Sequence, residues 1–144
     1  MKEELKKLQV VCDTNVLLSM LGFPGGRLDA LWAIIIENRV NLFTSPFILE
    51  ELVKNLHVKA RLEQKEIVAT INLLKNHTKL VSPKEQIHVI QGKETDNRIL
   101  ECAVEAKVQV LVTGNFKHIR PLGFYQGIEI LTPREFLDKY FPNF

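Results

Sequence analysis

Short β-branched runs alternate along this chain with longer segments of helical periodicity. The runs at 8–12, 40–44, 79–81, 108–113 and 128–131 predict strands. Between and after them, helices are predicted over 15–21, 25–37, 46–58, 61–76, 96–107 and 133–140. Leu28, Leu31, Trp32, Ile35 and Ile36 make one apolar face in the second helix. Leu62, Ile67, Ile71 and Leu74 make another in the fourth, and Ile99, Leu100 and Val104 a third in the fifth. Ser45 followed by Pro46 marks a helix start, and Thr132 with Glu135 has capping-box spacing. Strands separated by helices predict a three-layer α/β/α sandwich around a central parallel sheet. The connections 82–95 and 115–127 are long for that architecture, and long loops in compact domains are often functional.

Composition narrows the picture. A chain of 144 residues with 46% hydrophobic and 25% charged content suits one globular domain, here residues 1–144. The net charge of +2 does not by itself imply a nucleic-acid partner, although its sign suits an anionic one. Cys12 and Cys102 lie inside apolar runs, so buried reduced thiols are expected, and their spacing excludes a cysteine zinc motif. No apolar run is long enough for a membrane span. The charged start MKEELKK has no apolar segment behind it and does not read as a signal peptide. A cytoplasmic location is expected.

The chemistry begins where the first strand ends. An apolar run stops at Asp13, at the end of a strand where open parallel sheets bind ligands. An acid there is costly unless something positive sits beside it. Glu50 and Glu51 fall about one turn into the helix after the second strand. Adjacent helical residues point about 100° apart, so only one can face a given site. Glu51 lies on the face of Phe47 and Ile48, which meets the core; two solvated acids favouring the helix dipole is the plainer alternative. Asp96 stands at the start of the fifth helix, where Thr95 or Asp96 could equally serve as the N-cap. Glu101, off the face of Asp96, is a second-rank candidate. Asn115 follows Thr113 and Gly114 at the end of the fourth strand, a pattern also suited to a plain turn. Carboxylates gathered at one sheet edge repel unless a cation neutralises them. Oxygen donors without a His or Cys cluster favour Mg²⁺ or Mn²⁺ over zinc.

The segments VVCDTNVLL, SPFILEEL, ETDNRILECA and LVTGNFKHI, in this order, resemble the motifs of PIN-domain proteins, above all the VapC-type toxins of toxin–antitoxin pairs. The tail GIEILTPREFL is also similar, so the likeness spans about Val10 to Leu137. It implies an α/β/α fold and a metal-dependent ribonuclease. Asp13, Glu51 and Asp96 match the family's three invariant acids, with Glu50 as the fallback for the second. Asn115 falls where many members carry a fourth Asp, which removes one negative charge and weakens the case for a second metal. Its carbonyl could still hold the metal or a water. Thr14 and Asn15 match the polar pair after the first Asp; Asn15 is expected to orient Asp13, and Thr113 to line the site.

Lys117, His118 and Arg120 are candidates for gripping RNA phosphate, with Lys54, Lys59 and Arg61 as a second basic group. His57, His77 and His88 are scattered and form no ligand pair. Phe23 and Phe116 flank site loops and could stack on a base, though core packing is the favoured role. A haloacid-dehalogenase-type phosphatase would need a second Asp where Asn15 stands, and a receiver domain would need a phosphorylatable Asp ending its third strand. The resemblance further implies an antitoxin partner and a homodimer, with the helices at 28–36 and 62–74 as contact surfaces or core. The competing reading is a PIN fold that binds RNA or protein without cutting.

Overall fold

A computed structural model describes residues 7–144, so the N-terminal stretch read above lies, apart from Lys7, outside the described residues. Six strands form one sheet: β1 (Leu8–Cys12), β2 (Val40–Thr44), β3 (Thr78–Leu80), β4 (Val110–Val112), β5 (Phe124–Tyr125) and β6 (Ile128–Leu131). Their order is β3-β2-β1-β4-β6-β5. Every pairing is parallel except β5 with β6. Six α-helices flank the sheet: α1 (Thr14–Gly22), α2 (Asp29–Ile36), α3 (Pro46–Val58), α4 (Gln64–Lys75), α5 (Glu94–Ala106) and α6 (Pro133–Tyr140). This is the α/β sandwich that the alternating pattern predicts.

The topology places the site. The chain builds outward from β1 through β2 to β3, then crosses back to β4 on the other flank of β1. The strand order therefore reverses between β1 and β4, and a crevice opens beyond their carboxyl ends. Val11 pairs with Leu111 and Cys12 with Val112, which sets Asp13 beside Thr113 just past the last rung. Asp13 N–H still donates to Val112 O at 2.9 Å, and Thr113 N–H to Leu131 O at 2.9 Å. Both residues leave the sheet already held.

The strands expected at 79–81 and 108–113 are observed at Thr78–Leu80 and Val110–Val112, the helix expected at 15–21 spans Thr14–Gly22, and several other boundaries differ where the backbone turns left-handed. The helix expected from residue 25 starts at Asp29, because Gly25 takes φ +87° in a tight turn and its N–H donates to Asp29 Oδ1 at 3.1 Å. The helix expected from residue 61 starts at Gln64, after Arg61 at φ 59°. The helix expected from Asp96 starts two residues earlier at Glu94, and Lys107 in the left-handed region ends it. The β5–β6 hairpin was not expected at all. Gln126 and Gly127, at φ 50° and 81°, make its two-residue turn, the conformation that a Gly in second place favours.

Cys12 and Cys102 are free and buried, as expected; burial pushes the Cys102 thiol up to about 12. Buried faces of α2 (Leu31, Ile34, Ile35) and α4 (Ile67, Ile71, Leu74) belong to the core, while Ile36, Val68 and Leu73 stay exposed. α1 packs on α3 through a close approach at Gly22. A Cβ there would lie 2.9 Å from Ala60 Cβ and 3.3 Å from side-chain atoms of Leu18 and Leu56. This contact fixes the spacing of the two helices that carry Asp13 and Glu51 at their starts. Gly22→Val should destabilise the fold by about 1–3 kcal/mol through overpacking. Thermal melting would register this as a Tm lower by several degrees, and an unchanged Tm would refute the tight contact.

Candidate active site

Asp13 is both the end of a strand and the cap of a helix. Its Oδ1 accepts from Val16 N–H at 2.9 Å and so caps α1. Its Oδ2 accepts from the Thr113 hydroxyl and from Gly114 N–H at 3.2 Å. The residue is only 1% exposed. Burial pushes its carboxyl above the usual carboxylate range, the three hydrogen bonds oppose that rise, and the neighbouring Asp96 charge adds to it.

The turn after β4 joins the two aspartates. Thr113 Oγ1, while donating to Asp13, accepts from Asn115 N–H at 2.9 Å. Asn115 Nδ2 donates to Asp96 Oδ1 at 3.1 Å. Asn115 Oδ1 accepts from the backbone N–H of Lys117 at 3.2 Å and of His118 at 2.9 Å. Those two N–H groups need an acceptor, which fixes the amide orientation: oxygen toward the loop, nitrogen toward Asp96. Where the Asn115 carbonyl was expected to hold a metal or its water, it here accepts from the loop backbone and closes the loop. The amide instead gives Asp96 a donor where an Asp would give it a repelling charge.

Asp96 sits in the first turn of α5 but does not cap it. The cap position is Lys93, without a side-chain bond, so the plain capping alternative for Thr95 or Asp96 falls. What holds the helix start is the preceding loop. Asn97, buried, accepts from Ile90 N–H at 3.0 Å and donates to Ile90 O at 2.8 Å. Glu101 accepts from Ile87 N–H at 2.8 Å and pairs with Arg98, which also donates to Ile87 O at 3.2 Å. Glu101 is therefore a fastener for the 82–93 loop and not a second-rank site residue.

Asp13, Glu51 and Asp96 line one polar cleft of about 190 Å³, together with Asn115, Asn15 and Thr14. Glu50 is exposed and absent from the cleft lining, whereas Glu51 is part of it. Thr113 is fully buried and bonded to Asp13. Asn15 is exposed on the cleft wall; Thr113, Val16 and Gly114 do the orienting expected of it.

Around the rim, Arg120 is held by Glu135 through Nε and Nη2, each at 2.8 Å, instead of standing free. Lys117 is exposed and His118 half-buried. Phe23 and Phe116 are 52% and 68% exposed, so neither packs in the core as expected. Lys59, expected only as part of a second basic group, also lines the cleft, as does Asn55, which the sequence reading missed. Their spacing of four and eight residues from Glu51 on one helix was the available signal.

The donors suit a hard divalent cation. The cleft offers carboxylates, amides and hydroxyls, with no His or Cys among the residues that line it. The Thr14 hydroxyl, buried in the cleft wall, lacks a partner among the described residues. No three His, Cys, Asp or Glu side chains among the described residues are gathered closely enough to enclose an ion alone. Mg²⁺ keeps much of its water and needs only one or two direct carboxylates, so such an open arrangement is compatible with it.

A parallel α/β sheet with acids collected at its switch point defines a class of fold and site. The PIN domain family profile matches residues 9–117, and the chain belongs to that family. It is 29% identical over 150 residues to an uncharacterized protein, MJ1680, of Methanocaldococcus jannaschii, with 96% of each chain covered. Its fold is similar to that of a solved structure of VapBC2 from Rickettsia felis bound to a promoter DNA fragment. The TM-score is 0.56 at 14% identity, over 85% of this chain and 97% of that one.

Two outcomes follow from this geometry. Asn115→Asp sets two like charges about 3 Å apart and removes a donor, so metal-free protein should lose about 1–3 kcal/mol. Added Mn²⁺ should raise the Tm of this variant more than that of the wild type, which differential scanning fluorimetry can compare. The Arg120 hydrogen bonds lower the Glu135 carboxyl from 4.5 to about 2. A depressed acid contributes stability above its ordinary value and loses it as pH falls toward the depressed one. Glu135→Gln should therefore lower Tm by about 2 °C at neutral pH, a modest effect for a half-exposed pair, and the difference should vanish near pH 2.

Proposed function

We propose that this chain is a metal-dependent endoribonuclease that hydrolyses RNA phosphodiester bonds, and the VapC-type toxin of a toxin–antitoxin pair. One observation carries the reading. Asp13, Glu51 and Asp96 come from three separate elements and meet in one polar cleft at the switch point of the sheet. The family assignment and the fold likeness to VapBC2 support it. RNA is the substrate, a small antitoxin protein the regulator, and a homodimer the working form. The location is cytoplasmic; among the described residues no helix is long and apolar enough to cross a membrane.

Asp13, Glu51 and Asp96 are the residues that would hold Mg²⁺ or Mn²⁺. Such an ion supplies Lewis-acid polarisation of the phosphodiester and acidification of water. The chain's own residues do the rest. Thr113 and Gly114 fix Asp13 so that its carboxylate does not turn away. Asn115 holds Asp96 in place. Glu51, half-buried at the cleft edge, takes the proton from the attacking water. Lys117, exposed, and His118, half-buried, lie on the loop after Asn115 and would meet the strand's phosphates, Arg120 ties that loop to Glu135, and exposed Phe116 offers a ring for a base to stack on.

The test is cleavage of a mixed RNA pool by purified protein in Mn²⁺ or Mg²⁺. EDTA should abolish it, and Asp13→Asn or Asp96→Asn should reduce it by about 10²-fold or more while the melting curve stays cooperative. Cleavage that survives Asp13→Asn would overturn the site. A folded wild type that binds RNA and never cuts would favour the binding-module reading, which the spent Asn115 carbonyl keeps open.

A further inference from the structure

The cleft contains a cation as well as acids. Glu51, Asn55 and Lys59 occur at four-residue intervals along α3 and its C-cap, and all three line the cleft. At the rise of an α-helix, Asn55 lies about 6 Å and Lys59 about 12 Å beyond Glu51 along the axis. Lys54 and His57 point to a different side of α3, into an apolar groove against α4. The basic trio of Lys54, Lys59 and Arg61 is thus divided by the helix, and only Lys59 reaches the acidic cleft.

Lys59 is also unspent. No salt bridge among the described residues engages it. The negative end of α3 accommodates its charge without an acidic side-chain partner. Of the cations on the rim loop, Arg120 is committed to Glu135, and Lys117 is exposed outside the cleft lining. The Asn55 carboxamide, half-buried, stands between Lys59 and Glu51 and can donate to a phosphate oxygen.

Resting on the nuclease reading, we propose that Lys59 and Asn55 form a phosphate subsite. It grips the RNA strand at two successive phosphates beyond the one cut beside Glu51, Asn55 at the nearer and Lys59 at the farther. One helical turn is comparable to the step between successive phosphates of an extended strand, so α3 acts as a rail along the backbone. The contact reads phosphate and not base, so it sets affinity and register without choosing sequence.

The experiment compares wild type, Lys59→Ala, Lys59→Arg and Lys54→Ala on a single-stranded oligoribonucleotide in Mn²⁺ across a salt series. Binding is measured separately by fluorescence anisotropy in the Asp13→Asn background. Lys59→Ala should raise KM about tenfold with kcat nearly unchanged. It should also flatten the salt dependence of binding by about 0.7 in log–log slope, the value for one phosphate contact on a single strand. Lys59→Arg should restore most of the affinity, and Lys54→Ala should match wild type. An unchanged KM and slope in Lys59→Ala, with a wild type that cuts, overturns the subsite alone. Weaker binding and a flatter slope in Lys59→Ala, with a wild type that never cuts, upholds the subsite and overturns the nuclease reading. A wild type that neither binds nor cuts overturns both.

Discussion

A carboxylate buried at the end of a central strand is the constraint around which this structure is arranged. Asp13 is 1% exposed, and taking a charged carboxylate that far from water costs several kcal/mol unless its oxygens are met. Three donors meet them, and each comes from a part of the fold that must be in place: the first turn of α1, the hydroxyl of Thr113 and the backbone of Gly114. The parallel register of β1 against β4 brings the last two within reach. Misplacing that register by one residue would strand the acid, so sheet and site specify one another.

The same logic extends outward through the loops. The turn after β4 is a relay of hydrogen bonds from Asp13 through Thr113 and Asn115 to Asp96. On the far side, α5 binds the irregular 82–93 segment with Asn97, Arg98 and Glu101, and so fixes its own entry. Arg120 and Glu135 tie the far end of the 115–123 loop to α6. Polar side chains replace secondary structure as the organising force wherever the chain leaves the sheet.

Most of the architecture was legible because hydrophobic periodicity reports burial directly. The strands at 8–12, 40–44 and 128–131, and the helices at 46–58 and 133–140, match the structure to the residue. What periodicity cannot see is backbone handedness, and the errors at Gly25, at Arg61 and in the Gln126-Gly127 turn fell there, while the strands expected at 79–81 and 108–113 are observed at Thr78–Leu80 and Val110–Val112. In the site, the helix face favoured Glu51 while Glu50 stayed the fallback, and Glu51 is the one that lines the cleft. Glu101 could not be placed, because its partner Ile87 N–H lies in a loop with no pattern. The loop-closing role of the Asn115 carbonyl was not legible for a related reason. Side-chain amides serve loops and ligands with the same atoms, and only the positions of Lys117 and His118 N–H tell which.

The Asn115 amide has a consequence beyond geometry. A cleft of clustered acids ordinarily depends on its cation to hold together, so that folding and loading become a single event. Here an uncharged donor already faces Asp96, and backbone and hydroxyl donors already face Asp13. Folding and loading are thereby separable steps. On the metal-dependent reading proposed above, the chain would complete its fold before any ion is bound, because the donors that hold Asp13 and Asp96 are its own.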